Sequence, residues 1–168
     1  SLTATGRLFP VMDLAGEVSD LDVGVLEGFW PELARQGYSG KFSTSFSAKG
    51  SWPEVTLEGH LVAPQGEVYG IAVENLSSSW SFTGDTLEMS DVRGVAAGTA
   101  LSGTLLFSFS ALPPVTGIDI TAHRAEVKSW AKTFPWLQPL ADGLIDSLDA
   151  NLAGPSNSLS GSVTLRAS

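Results

Sequence analysis

Leu101 to Ala111 reads LSGTLLFSFSA, and its side chains divide by parity. Leu101, Gly103, Leu105, Phe107, Phe109 and Ala111 fall on one side, with Ser102, Thr104, Leu106, Ser108 and Ser110 on the other. Successive side chains of an extended chain point to opposite faces, so this period of two predicts a strand with one apolar and one wet face. Working outward, the same signal recurs. Phe42, Phe46 and Ala48 interleave with Ser43, Ser45 and Ser47, and Val55, Leu57, Gly59, Leu61 and Ala63 oppose Thr56, Glu58, His60 and Val62. Trp80 and Phe82, then Leu87 and Met89, alternate with serines, threonines and Glu88. Ile118, Ile120 and Ala122 follow, then Leu148, Ala150 and Leu152, and last Leu159, Gly161, Val163, Leu165 and Ala167. Turn chemistry separates the runs at Gly50-Ser51-Trp52-Pro53, Thr83-Gly84-Asp85 and Gly154-Pro155-Ser156-Asn157. The expected fold is an all-β antiparallel meander, greasy on one face and hydroxylated on the other.

Two stretches depart from the alternation. Val25 to Gln36 and Ser129 to Leu148 mix aromatics with prolines at helical spacing. They are expected to form one or two helical turns broken at Pro31, Pro135 and Pro139. Between Glu67 and Val73, Val68, Tyr69, Ile71 and Val73 put apolar groups on both parities. A bulge there would reconcile them.

Composition agrees. The 168 residues are 43% hydrophobic but only 16% charged, with Ser, Thr and Gly in place of the usual charges. The formal charge of −9 repels phosphate backbones and anionic headgroups, which argues against nucleic-acid partners and leaves apolar contact as the route to a lipid. There is no cysteine, which removes disulfide frameworks and thiolate metal sites. No apolar run is long enough to span a bilayer as a helix, and no Met opens the chain, so any membrane anchor is expected outside this segment.

Features also recur at one spacing. Pro10-Val11 returns as Pro114-Val115, Pro31 as Pro135 and Gly50 as Gly154, each 104 residues on. Gly59-His60-Leu61 matches Gly161-Ser162-Val163 at 102. This predicts a repeat unit over about 8–111 and the start of the next over 112–168, all within one continuous sheet over 1–168. A unit of about eight strands at ~4.8 Å would lengthen the sheet by roughly 40 Å.

In order, then, come a strand, a Pro-broken helix (GFWPEL), a Ser-rich strand, AKGSWPEVTLEGHLVA, and EVYGIAVENLSSSWSFTGDTLEMSDVRGVAAGTALSGTLLFSFS. This order resembles the AsmA/TamB family, the latter being the translocation and assembly module. One step of that family's pattern reads here as Gly50, Pro53, Gly59 and Leu61, and the closing step as Leu87, Met89, Gly98, Gly103 and Leu105. The second copy keeps Gly154 and Gly161 but places Pro155 directly after the glycine, a departure from the pattern. The resemblance implies a long sheet curled into a U-shaped groove with an apolar lining, located in the bacterial periplasm and anchored in the inner membrane beyond this segment. It implies non-enzymatic transport of phospholipid acyl chains between the two membranes, with outer-membrane assembly proteins as further partners and no cofactor.

On that reading the lipid-lining residues are Phe42, Phe46, Val55, Leu57, Leu61, Trp80, Phe82, Leu87, Met89, Leu105, Phe107, Phe109, Ile118 and Ile120. Gly59, Ala63, Gly103 and Ala111 on the same parity would leave room for a tail. Two other readings stay open. The apolar face could be the core of a sandwich, packed on a second sheet. Alternatively the strand edges could pair with client strands, making the protein an assembly scaffold. Catalytic motifs are missing from the sequence: it has no G-x-S-x-G elbow, no phosphate-binding G-x-x-x-x-G-K loop and no G-x-G-x-x-G. His60 and His123 lie on separate strands with no acidic cluster beside them, and Asp20-Leu21-Asp22 reads as a solvated strand end rather than a metal loop.

Overall fold

The computed structural model describes residues 1–7, 11–28, 37–51, 53–68, 70–111, 113–131, 138, 144–156 and 158–167. The strands are β1 (Leu2–Arg7), β2 (Met12–Asp22), β3 (Ser39–Ser51), β4 (Glu54–Val68), β5 (Ile71–Thr83), β6 (Thr86–Ala96), β7 (Thr99–Ser108), β8 (Val115–Glu126), β9 (Leu144–Pro155) and β10 (Ser160–Ala167). They form one antiparallel sheet in chain order, and it is not closed, since β1 and β10 stand at its two ends. The alternation of apolar and hydroxyl side chains and the tight turns account for this. Gly84 and Gly98, with φ of 63° and 77°, sit in the β5–β6 and β6–β7 turns, where the left-handed region is needed. The hairpin of β1 and β2 was not among the runs picked out by alternation.

Short helical turns interrupt the meander among the described residues. A 3-10 helix, Val23–Gly28, follows β2, and one α-helical turn, α1 (Val127–Trp130), follows β8. The expected second helical segment extended to Leu148, but β9 already begins at Leu144. Ile145, buried opposite Ala125, draws this stretch into the sheet. Pro31, Pro135 and Pro139 lie outside the described residues.

Several strands change the parity of their apolar side chains partway along. In β5 the face carrying Leu76, Ser78, Trp80 and Phe82 passes to Val73 through Asn75, whose φ is 52°. The bulge expected between Glu67 and Val73 is replaced by the β4–β5 turn: Val68 pairs with Ile71 and Gly66 with Val73 in one register, so apolar residues of both parities meet on one face. Asp20 in β2, Asp91 in β6 and Arg124 in β8, with φ of 53°, 50° and 54°, mark equivalent steps. Positive φ in a non-glycine residue inside a strand is the backbone of a bulge, which bends and twists the strand.

The register carries the periodicity further. Gly16 pairs with Phe46 and Phe46 with Gly59, while Ile120 pairs with Ala150 and Ala150 with Val163. All three positions shift by the same interval (16 to 120, 46 to 150, 59 to 163), so β2–β3–β4 and β8–β9–β10 are in register at 104 residues. The left-handed Asp20 and Arg124, and Gly50 and Gly154 (φ 130° and 138°), obey the same interval. Two expectations change here. The pairing needs no slip to 102, because Gly161 stands where Leu57 stands and Val163 where Gly59 stands. Among the described residues the interval from β2 to β8 also spans six strands, where about eight were expected.

Buried apolar residues concentrate under α1, where Ala125, Val127, Ala131 and Ile145 gather with Trp130, Leu148 and Leu165 against them. From β7, the Thr99 hydroxyl accepts the Trp130 indole N–H at 3.0 Å. Elsewhere the described strands all lie in the one sheet. The chain exposes 10255 Å², against about 7,900 Å² for a compact monomer of this mass.

Candidate functional site: an apolar sheet face

Cross-strand pairing places the predicted lining residues on one face. One row runs Gly16, Phe46, Gly59, Trp80, Met89, Leu105, Ile118, Leu152 and Gly161 from β2 to β10. The next contains Ala48, Leu57, Phe82, Leu87 and Phe107. Leu61 stands beside Thr44 and Ser78, Ile120 beside Gly103, Val55 beside Gly50 and Phe42 beside Leu21. Phe109 lies past the end of β7 with its ring 6.3 Å from that of Phe82 at 53°. Phe109 is exposed and the other thirteen predicted lining residues are half-buried. All ten described strands belong to the one sheet, so among the described residues no second sheet lies across this face.

Side chains cover one another laterally along the face. An ideal Cβ on Gly59 would lie 2.8 Å from two indole carbons of Trp80, so the indole lies against the glycine. Its N–H reaches across β4 and donates to the Thr44 hydroxyl of β3 at 2.8 Å. The Phe46 ring covers Gly16 in the same way, its Cζ 2.6 Å from where a Cβ would be. Aromatic rings laid over cross-strand glycines remove backbone from water and fix register. Gly59 therefore offers no room for a ligand, contrary to the expectation from sequence. Above Gly103 the nearest atoms are backbone of Asp119 and Ile120.

Hydroxyls also stand on this face. Ser78 is fully buried and donates to the Ser79 carbonyl at 2.8 Å, while the buried Thr116 Oγ1 has no hydrogen-bond partner. Sequence reasoning passed over Thr44, although it shares parity with Phe42 and Phe46. The lining drawn from sequence also omitted Leu101 and Leu76, which share parity with Leu105 and Trp80, and Val92, which the bulge at Asp91 brings to the same side.

The opposite face is floored by hydroxyls. One shallow hollow there is bordered by Ser45, Ser47, Glu58, His60, Ser79 and Ser81. A second lies around Thr104, Leu106, Gly117 and Asp119. Ser47 donates to Glu58 at 3.1 Å and Thr121 to Asp149 at 3.0 Å, so part of this surface is knitted by side-chain bonds. His60 and His123 are both exposed. Among the described residues no cluster of three His, Asp or Glu is arranged to hold a metal. Asp22 accepts the Gly24 N–H at 2.8 Å and thereby caps the 3-10 helix, which gives the Asp20-Leu21-Asp22 step a structural task.

The described residues define an antiparallel β-meander in one sheet that is not closed. The chain matches no family model, no curated protein and no solved structure.

Proposed function

We propose that the chain is a segment of a periplasmic lipid-transfer protein of the AsmA/TamB type, in which the apolar face lines a U-shaped groove for phospholipid acyl chains. The observation that carries this reading is the half-buried apolar face, continuous from β2 to β10, with no second described sheet across it. Taking an acyl chain out of water is worth about 0.8 kcal/mol per methylene. A continuous apolar floor lets a tail move along the sheet without returning that energy to water, while the headgroup stays in solvent. Such transport requires apolar area and continuity, and no general acid, nucleophile or cofactor. The acidic surface fits the same picture, because attachment then depends on tails rather than on anionic headgroups.

The test is photo-crosslinking with a benzophenone amino acid at Phe107 or, as the control on the other parity, at Ser108. The protein is incubated with phosphatidylethanolamine vesicles. Phospholipid adducts at 107 and not at 108 support the groove. Equal or absent labelling in folded protein removes it and leaves the second reading, a scaffold pairing with outer-membrane protein strands. That alternative is favoured by the edges of β1 and β10, which have no strand partner among the described residues.

A further inference from the structure

Among the described residues the buried polar side chains are Ser78, Thr99, Thr116 and Ser156. The first two are satisfied: Ser78 donates to the Ser79 carbonyl at 2.8 Å, and Thr99 accepts the Trp130 indole N–H at 3.0 Å. Thr116 Oγ1 and Ser156 Oγ have no hydrogen-bond partner among the described residues. Buried hydroxyls left unpaired are unfavourable and rare in folded proteins. These two are also neighbours. Thr116 is paired with Gly154, and the Ser156 N–H donates to the Pro114 carbonyl at 2.9 Å, which extends the β8–β9 ladder past Val115 and Pro155. Ser156 therefore stands diagonal to Thr116 on the same face, about 7–8 Å away at Cα. Of the other two corners of that square, Gly154 has no side chain and Pro114 is fully buried. One ester group, with two oxygens, can reach both hydroxyls.

Their place in the sheet selects the ligand. Thr116 is the second residue of β8, and Ser156 lies one past the end of β9, so the pair sits where the apolar face meets the strand ends. On the β7 side Thr116 is paired with Phe107, a residue proposed to line the tail groove. Both oxygens are closed to water, so a partner has to bring its polar atom in on an apolar carrier. A phosphate, a sugar or an ion would have to surrender its hydration to reach them. The carbonyl of an acyl ester arrives with its own hydrocarbon chain. It only accepts hydrogen bonds, and each hydroxyl has one to donate.

We infer that Thr116 and Ser156 bind the acyl-ester group of a phospholipid whose tail lies on the Phe107 side and whose headgroup stays in solvent beyond the strand ends. The inference rests on the lipid reading and adds a specificity to it, for ester-linked over ether-linked lipids. The chain is offered vesicles of dioleoyl phosphatidylethanolamine or of its dialkyl ether analogue, which keeps the headgroup and the hydrocarbon but lacks both carbonyls. Affinity is read by competition with a fluorescent phospholipid, and circular dichroism checks the sheet in each variant. The wild-type chain should prefer the diester by about tenfold, the equivalent of roughly 1.4 kcal/mol. Thr116→Val combined with Ser156→Ala should abolish the preference, whereas Thr116→Ser, which keeps the hydroxyl, should retain it. Equal affinity of the wild-type chain for the two lipids overturns the inference and leaves the groove standing, with the hydroxyls holding water only. A preference that survives in the double variant overturns it as well, because the ester is then recognised elsewhere. Failure to bind either lipid removes the lipid reading itself, and the inference falls with it.

Discussion

An alanine at position 59 would bring its methyl group into the indole of Trp80 and to 2.1 Å from the Ser45 carbonyl oxygen. Neither can be avoided by a rotamer change at 59, so Gly59→Ala should lower stability by about 1–3 kcal/mol, read as a shift in the urea midpoint. Thr44→Val keeps the shape and deletes the hydroxyl that accepts the Trp80 N–H. It should cost about 1 kcal/mol, the usual net value of such a bond together with the unpaired donor it leaves. At this scale the sequence was legible in direction and not in contact. Parity placed Gly59 and Trp80 on one face correctly, but it carries no information on where a ring lies once its χ angles are set. The same glycine read as an opening is the floor under an indole.

Among elements, the bulges decide how much of the sheet faces one way. Without the step at Asn75, strict alternation would send Val73 to the side opposite Trp80. Asn75→Val should destabilise by about 1–2 kcal/mol because a β-branched residue resists the left-handed region, whereas Asn75→Gly should be close to neutral. Thermal denaturation of the two variants tests this contrast, and the order of their Tm values is the expectation. The strand runs between residues 41 and 122 were readable because apolar and hydroxyl side chains alternate within each of them. Apolar residues of both parities between Glu67 and Val73 reflect the β4–β5 turn, and nothing in the alternation marked the bulge at Asn75, whose position depends on which backbone tolerates positive φ. Asn and Asp do so more readily than most residues, and Arg124 has no such preference to announce it. The second helical stretch was overextended because Leu144 to Leu148 contains leucines at a spacing compatible with either period.

For the molecule as a whole, each strand pairs only with its neighbours in the chain, and no second described layer locks the sheet. Amide hydrogen exchange should therefore fall into a gradient, slowest in β4–β7 and fastest in β1 and β10, where only one edge is paired. If the apolar face carries lipid tails, Phe107→Asp should lower the yield of bound fluorescent phospholipid by about tenfold, the equivalent of roughly 1.4 kcal/mol. Ser108→Asp should leave it unchanged, with circular dichroism confirming the sheet in both. Sequence exposed the two-faced sheet and its interval. Function remained a proposal from resemblance, because a bare apolar surface has no motif of its own.

Among the described residues the interval contains six strands, an even number. A chain that lengthened by copying such a unit would re-enter each copy heading the same way, so every helical turn would return to one rim and every greasy face to one side. Copying an odd number would reverse the heading, and the next helical turn would emerge at the opposite rim. Descendants of this architecture should therefore differ in length by whole hairpins, never by single strands.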